Sequence, residues 1–295
     1  MSQIISYLLP IAIGIIMFGI GLNLSFNDFK KVFIAPKAVI TGLIGQLLLL
    51  PAMGFIIASI FPIDPIFKLG IVLLAICPGG TSSNIVTYML RGRVALSVSI
   101  TAFNSFLIVL TIPFYLHWGI AFFINDISVT TISFGQTVIE VMYTVIAPVV
   151  LGMLVNHNRS TTQLAGLKKS LRYILPGILF LVFTLVLFLE GKDGELNMSD
   201  YLYLILPALL LNIGAMYLGW LISKTVGINR RGRYTIAIEM GLQNSALAIF
   251  LANNVINIDG LAVIAVLYGG FSFFSTWLVA YGMKRRGEKL SYYSE

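Results

Sequence analysis

The sequence predicts an all-α polytopic membrane protein with nine transmembrane helices. Of its 295 residues, 58% are hydrophobic and only 11% are charged, whereas soluble domains carry about 25% charged residues. Nine stretches are apolar over roughly the 20 residues that a helix needs to cross the hydrocarbon core of a bilayer. Basic residues concentrate in every second loop, as they do in cytoplasmic loops. This pattern explains the net charge of +7 better than nucleic-acid binding does.

The nine predicted spans follow one another with short polar loops between them. They cover residues 4–24, 35–61, 66–90, 94–116, 132–155, 173–189, 201–224, 234–254 and 261–283. The opening decapeptide MSQIISYLLP has no basic region or cleavage site, so we expect it to begin a retained span. No soluble domain or low-complexity segment interrupts the spans, and we expect residues 1–295 to form one membrane domain. The single cysteine, Cys77, excludes an intramolecular disulfide.

The loop charges orient the spans. Seventeen of the 19 basic residues lie after spans one, three, five, seven and nine. The alternate loops carry only Lys68 and Lys192 among basic residues, but they carry most of the acidic ones. Positive loops face the cytoplasm, so we expect a multi-pass protein of the cell membrane with its N-terminus outside and its C-terminus in the cytoplasm.

Two spans at corresponding positions contain residues that break helices. Span three contains CPGGTSSN at 77–84, and span eight contains EMGLQNSA at 239–246. Spans one to four and six to nine are five crossings apart, so a structural repeat between them must be inverted in the membrane. Interrupted helices at equivalent positions of inverted halves are typical of the binding site of a secondary transporter.

Glu239 is the central residue of this predicted site. Its own span contains no Lys or Arg near it, and an ionised carboxylate near the bilayer midplane costs at least about 2 to 3 kcal/mol. It must therefore face a cavity, a partner or a cation. Sodium prefers oxygen ligands, as related hard cations do. The side chains that offer oxygen are those of Gln46, Ser83, Asn84, Ser97, Thr101, Gln243 and Asn244.

Some of these donors also have simpler explanations. Ser97 and Thr101 lie four residues apart on one helix face, but each could bond back to its own backbone. Gln46 alone favours a hydrogen bond between two helices. Glu140, a second acid within a span, has no polar cluster beside it, and we expect a solvated or interhelical role for it.

The helix ends suggest which ligands such a site would take. The N-terminus of a half-helix attracts an anion and its C-terminal carbonyl groups attract a cation, so a site for an organic anion beside sodium would use both. A proton-coupled carrier, with Glu239 as the protonation site, remains the alternative. A non-transporting receptor or scaffold would need a partner-binding segment that we do not see. No Ser/His or paired-Asp arrangement indicates an intramembrane hydrolase, and we expect no enzymatic activity.

Three segments resemble signature segments of the bile acid:sodium symporter family. They are CPGGTSSN at 77–84, RGRVALSVSIT at 91–101 and EMGLQNSA at 239–246, and the opening IIMFGIGLNLSFNDF at 15–29 is similar as well. The resemblance implies a core domain that holds two crossed, discontinuous helices and a separate panel domain that moves against it. The core would comprise about 66–123 and 232–284 with part of 35–61, and the panel about 1–30 and 132–224. Some members of the family have ten helices, with an extra span at the N-terminus. This chain shows no counterpart of that span and so resembles the nine-helix arrangement.

The resemblance also implies the residues that bind ligands. One sodium ion would be held by Ser83, Asn84, Ser97, Thr101 and Glu239, here called the first sodium set. A second ion would be held by Gln46, Glu239 and Gln243 with backbone carbonyls near Met240 and Leu242, here called the second sodium set. Thr81, Asn244 and Ser272 would contact the substrate.

The function implied is sodium-coupled symport of an organic anion by alternating access. The family transports bile acids, 2-oxo acids and pantoate-like hydroxy acids, and the sequence does not choose among them. We expect two co-transported sodium ions, no cofactor and no nucleic acid. The protein would be surrounded by the lipid bilayer as a monomer or a weak dimer.

Overall fold

The computed structural model describes residues 3–28, 36–124, 134–158 and 198–292, together with seven isolated positions between 164 and 178. Within these ranges the regular structure is helical. The predicted span 173–189 lies almost entirely outside the described residues. The helical prediction is therefore confirmed where it is tested, and the count of nine spans stays a prediction.

Ten helices of at least nine residues follow one another in the described ranges. They are α1 (Gln3–Asn23), α2 (Pro36–Ile60), α3 (Pro65–Ile76), α4 (Thr81–Met89), α5 (Val94–Phe123), α6 (Phe134–Asn158), α7 (Met198–Thr225), α8 (Arg230–Gly241), α9 (Ser245–Ile256) and α10 (Val263–Tyr292). Of these, α2, α5, α6, α7 and α10 each contain a stretch long and apolar enough to cross a membrane. This finding identifies an integral membrane protein.

The two predicted helix breaks are present. Span three is divided into α3 and α4, and span eight into α8 and α9. Cys77 ends α3 with φ −74° and ψ 135°, the extended backbone that the following Pro78 favours. In the second break, Leu242 is extended, with φ −118° and ψ 99°. The next helix begins at Ser245, and the side chain of Asn244 before it accepts a hydrogen bond from the N–H of Leu247.

A π-helical turn in α2 brings a polar side chain to the buried side of that helix. The turn spans Gly45–Leu49 and ends two residues before Pro51, which has no N–H to donate to the carbonyl of Leu47. The hydroxyl of Tyr115 donates to that carbonyl instead, at 2.8 Å. The carbonyl that Pro51 leaves without a donor is therefore hydrogen-bonded. Gln46, within the turn, is buried. Similar π-helical turns occur at Met142–Ile146 in α6 and Leu251–Ile256 in α9.

Helix α5 is longer than the sequence predicts. The predicted span ends at residue 116, whereas the helix continues to Phe123. Aromatic packing holds the additional turns. The ring of Phe55 in α2 lies 4.7 Å from Trp118 and stacks on Phe123 at 5.8 Å, measured between centroids.

Helices α1 and α6 pack against each other without intervening side chains. A side chain at Gly21 would clash with the backbone of Val149, and one at Gly152 would clash with the backbone of Phe18. Small residues allow this close approach between membrane helices. The extensive contacts of α7 are with α2, α3, α8 and α10, elements that the sequence assigned to the core, although residues 201–224 were assigned to the panel.

A candidate cation and anion site at the helix breaks

The two breaks lie against each other. Gly79 and Gln243 form an isolated antiparallel bridge, and the backbone N–H of Asn244 donates to the carbonyl of Pro78 at 2.9 Å. Two helix C-termini, those of α3 and α8, and two helix N-termini, those of α4 and α9, therefore meet at one place. Carbonyl oxygens and N–H groups without helical partners are concentrated there.

The carboxylate of Glu239 lies in the last turn of α8, next to this meeting point, and is 0% exposed. One oxygen, Oε2, accepts a hydrogen bond from Ser97 at 2.5 Å. The other, Oε1, accepts one from Thr101. The hydroxyl of Ser83 also lies beside the carboxylate. The expectation that Ser97 and Thr101 share a helix face is confirmed, and four side chains of the first sodium set converge.

Glu239 forms no ion pair with a Lys, Arg or His side chain in the part of the chain that the structure describes. A buried charge without such a partner costs several kcal/mol. Two neutral hydroxyl donors recover only part of that cost, since each hydrogen bond to a charged group contributes about 1.5 to 3 kcal/mol. The carboxylate therefore has the electrostatic character of a cation ligand.

Two further oxygens of the predicted sodium sets are buried without a donor. They are Oδ1 of Asn84 and Oε1 of Gln243, for which no described residue supplies a hydrogen bond. Leaving a buried acceptor unpaired costs about 1 to 3 kcal/mol, and a cation removes this cost. The side chains present at the breaks therefore fit a bound sodium ion.

The second sodium set converges on the same turn of α8. The side-chain nitrogen Nε2 of Gln46 donates to the backbone carbonyl of Glu239 at 2.8 Å. The side-chain nitrogen of Gln243 donates to the carbonyl of Met240 at 2.7 Å. Residues from α2, α8 and the second break are thus joined through backbone carbonyls in the last turn of α8, of which the carbonyl of Met240 is one that the resemblance implied as a ligand.

Gly79 lies where a side chain would fill the site. A Cβ atom there would be 3.1 Å from Oε1 of Glu239, 3.2 Å from Nε2 of Gln46 and 3.2 Å from the carbonyl oxygen of Leu242. The carboxylate, the amide and the carbonyl therefore surround one small region beside the bare Cα. The need for glycine at this position comes from close approach.

The predicted substrate contacts are only partly described. Asn244 is buried at the start of α9, where its Oδ1 accepts from the N–H of Leu247 at 3.1 Å. Ser272 is buried on α10, which packs on α8 and α9. The side chain of Thr81 lies outside the described residues, while its backbone begins α4. Glu140 is half-buried, and its Oε2 has no donor among the described residues, so its expected role stays a prediction.

Sequence reasoning missed two polar groups that support the site. Asn104 on α5 donates from Nδ2 to Oε1 of Gln46. The carbonyl of Gly241, at the end of α8, accepts hydrogen bonds from three side chains, those of Asn212, Tyr268 and Thr276. Asn104 and Asn212 are each the only amide residue of a largely apolar helix, a pattern that also suits a simple contact between two helices.

The sequence of this chain is similar to those of several known membrane transporters. The model described as the Sodium Bile acid symporter family matches residues 10–197, more than half of the chain. An uncharacterised sodium-dependent transporter of Bacillus subtilis is 32% identical over 250 residues, which are 84% of this chain and 74% of the relative. The Oryza sativa protein named "Probable sodium/metabolite cotransporter BASS1, chloroplastic" is 30% identical over 255 residues, 82% of this chain and 57% of the relative.

A human relative is also similar. The ileal sodium/bile acid cotransporter of Homo sapiens is 28% identical over 255 residues, which are 84% of this chain and 69% of the relative. The chain therefore spans little more than half the length of the rice protein and about two thirds of the human one. These relatives are transporters by name, and none is named as an enzyme.

Proposed function

Because this chain belongs to the sodium bile acid symporter family, we propose that it is a secondary transporter that couples sodium entry to the uptake of an organic anion. The observation that carries the proposal is the fully buried carboxylate of Glu239, which faces hydroxyl donors and no basic side chain of the described residues. Acids inside membrane segments mark ion or substrate pathways. A monovalent cation bound here would compensate the negative charge of Glu239. If the carboxylate faced lipid, nothing would compensate that charge.

The two sodium sets define two proposed ion sites around one carboxylate. The first uses the side chains around Glu239, with the unpaired Oδ1 of Asn84 as an additional ligand. The second uses the side chains of Gln46 and Gln243 with the carbonyls at the end of α8. Two sodium ions and one monovalent anion would carry one net positive charge inward. Each such charge contributes about 2.3 kcal/mol per 100 mV of membrane potential.

The anion would bind at the N-termini of α4 and α9. These helices begin at Thr81 and Ser245, so their first N–H groups lack helical acceptors and carry partial positive charge. Asn244 directly precedes α9 and would contact both the anion and the break. The names of the relatives mention bile acid and metabolite, and we propose a carboxylate, either a bile acid or a smaller metabolite such as a 2-oxo acid or pantoate.

Transport would proceed by alternating access. Sodium neutralises Glu239 and fixes the two breaks against each other, which completes the anion site. Coupling must be reciprocal, so the anion raises sodium affinity by the same factor. The contacts of α7 lead us to place it with α2 to α5 and α8 to α10 in the core, and to propose α1 and α6 as the described part of the panel. By loop charge, the N-terminus is outside and the C-terminus cytoplasmic.

Uptake into proteoliposomes tests this function. The purified chain would be reconstituted, and accumulation of labelled bile acid, 2-oxo acid and pantoate would be measured under an inward sodium gradient. Potassium replacing sodium serves as the control. We expect sodium-dependent accumulation of at least one anion, increased by an inside-negative potential. Accumulation that follows a pH gradient without sodium would instead support the proton-coupled carrier, and equilibrium binding without accumulation would support a receptor.

A further inference from the structure

Both glutamines of the second sodium set donate from nitrogen to backbone carbonyls in the last turn of α8, beside the place where the ion would bind. Nε2 of Gln46 donates to the carbonyl of Glu239 and Nε2 of Gln243 donates to that of Met240. A carbonyl oxygen only accepts hydrogen bonds, so the nitrogen of each amide must face it in this arrangement. The side-chain oxygens that would bind sodium therefore point away from the carbonyls.

A cation beside these carbonyls requires the opposite orientation of Gln46. Sodium is attracted to oxygen and repelled by an N–H group, so the amide must turn over to present Oε1 to the ion. Turning moves Nε2 to the place that Oε1 occupies now. At that place Gln46 meets Asn104, which is 2% exposed and donates from Nδ2 to Oε1 of Gln46.

Asn104 is suited to both orientations of its neighbour. In the arrangement described, Nδ2 of Asn104 serves as a donor, while its Oδ1 is buried and receives no hydrogen bond from the described residues. If the amide of Asn104 turns together with that of Gln46, Oδ1 accepts from Nε2. The unpaired oxygen is therefore the acceptor that the turned Gln46 needs.

On this basis we infer that Asn104 is a positioning residue of the second cation site, which lets the amide of Gln46 turn over when sodium binds. The inference rests on the proposed function, because it needs a sodium ion at this place. Gln46 is itself 4% exposed, and a buried amide nitrogen without an acceptor would oppose the turn. Asn104 thus sets how readily Gln46 changes from a donor to a ligand.

A double-mutant cycle in sodium binding tests this role. The variants are Asn104→Asp, Gln46→Leu and the double variant, and the measured quantity is the sodium Kd of the purified chain by calorimetry at constant ionic strength. A carboxylate at 104 cannot donate to Oε1 and accepts strongly from the turned Nε2. We expect sodium Kd to fall about tenfold in Asn104→Asp, which corresponds to about 1.4 kcal/mol, and this gain to disappear in the Gln46→Leu background.

The cycle separates the amide turn from the effect of charge alone. A negative charge that simply attracts sodium would lower Kd equally with Gln46 or Leu at position 46, and that result would overturn the inference. No gain in Asn104→Asp would overturn it as well. If the unmodified chain shows no sodium binding at all, the proposed function fails instead, so the two failures are distinguishable.

A second measurement uses the unmodified chain and does not depend on the folding of a variant. The side-chain amide resonances of Gln46 and Asn104 would be followed by nitrogen-15 NMR while sodium replaces potassium. We expect both resonances to shift with the same midpoint in sodium concentration. A shift of the Gln46 resonance while that of Asn104 stays fixed would contradict the linked movement.

Discussion

Gly79 and Gln243 face each other in an antiparallel bridge, and through this pair two breaks that are more than 160 residues apart in the chain become one site. The distance in space between the two breaks is set by this backbone contact and does not depend on long side chains. Carbonyl oxygens, helix N-termini and the carboxylate of Glu239 therefore keep their mutual distances only while the bridge holds. Substitutions at the bridge should affect ion binding before they affect folding.

The first prediction compares two neighbouring glycines. Gly79→Ala places a methyl group 3.1 Å from Oε1 of Glu239 and 3.2 Å from Nε2 of Gln46. We expect sodium-dependent uptake to fall roughly tenfold or more, because a binding constellation tolerates displacements of only about 0.5 Å. Initial uptake rates in proteoliposomes measure the effect.

Gly80→Ala is the matched control for that substitution. The nearest atom to a Cβ at Gly80 is Cγ of Asn244 at 4.0 Å, an ordinary van der Waals contact. The backbone, with φ −103° and ψ −174°, suits any residue. We expect near-normal uptake, and equal loss in both variants would contradict the steric explanation.

The second prediction concerns the charge at the site. Glu239→Gln keeps the size of the side chain and removes its charge. Two unit charges about 4 Å apart interact by about 4 kcal/mol at an effective dielectric constant of about 20, so we expect sodium affinity to fall a hundredfold or more. Glu140→Gln, which neutralises an acid outside the site, should leave sodium affinity unchanged. Calorimetric titration with sodium measures both variants, and similar losses in the two would argue against a specific role for Glu239.

The third prediction separates helix capping from anion binding at Asn244. Asp and Ser cap helix N-termini about as well as Asn, so Asn244→Asp and Asn244→Ser should both keep α9 intact. The new carboxylate repels an anion, and we expect the KM for the transported anion to rise tenfold or more in the Asp variant only. Sodium affinity should not decrease in either variant. A normal KM in Asn244→Asp would place the anion elsewhere.

The fourth prediction concerns the support of the second break. The hydroxyl of Tyr268 donates to the carbonyl of Gly241 at 2.6 Å and accepts from Nδ2 of Asn212 at 3.3 Å, so it joins the end of α8 to α7. Tyr268→Phe removes these two hydrogen bonds, while the carbonyl of Gly241 keeps its bond from Asn212, so the free energy of unfolding should fall by about 0.5 to 1.5 kcal/mol. Tyr217→Phe, which removes an exposed hydroxyl, should have little effect. Thermal unfolding in detergent compares the two, and equal stability would show that this hydroxyl contributes nothing to the break.

Much of the helical fold could be predicted because a helix must be apolar over about 20 residues to cross the hydrocarbon core of a bilayer. The predicted start of α5 at Val94 agrees with the structure, and its end differs because aromatic packing against Phe55 extends the helix beyond His117. The π-helical turn around Gln46 could not be read from the sequence. The hydroxyl of Tyr115, which is distant in the chain, satisfies the carbonyl that Pro51 leaves free next to this turn.

The candidate site could be predicted as far as local spacing and composition extend. The positions of Ser97 and Thr101 on one helix face follow from their spacing, and their contact with Glu239 gives that face its importance. Asn104 and Asn212 were missed for the opposite reason. Each is a lone amide in an apolar helix, and its significance appears only when the carbonyl or amide that it contacts, on another helix, is known.

The backbone contact of α1 with α6 at Gly21 and Gly152 limits how these two helices can move. Since no flexible side chain lies between them at these points, neither helix can slide or tilt without carrying the other. A pair of spin labels, one on each helix, should therefore keep a constant separation whatever ligands are present. Labels that join either helix to α8 should change their separation if the transporter alternates between inward and outward openings.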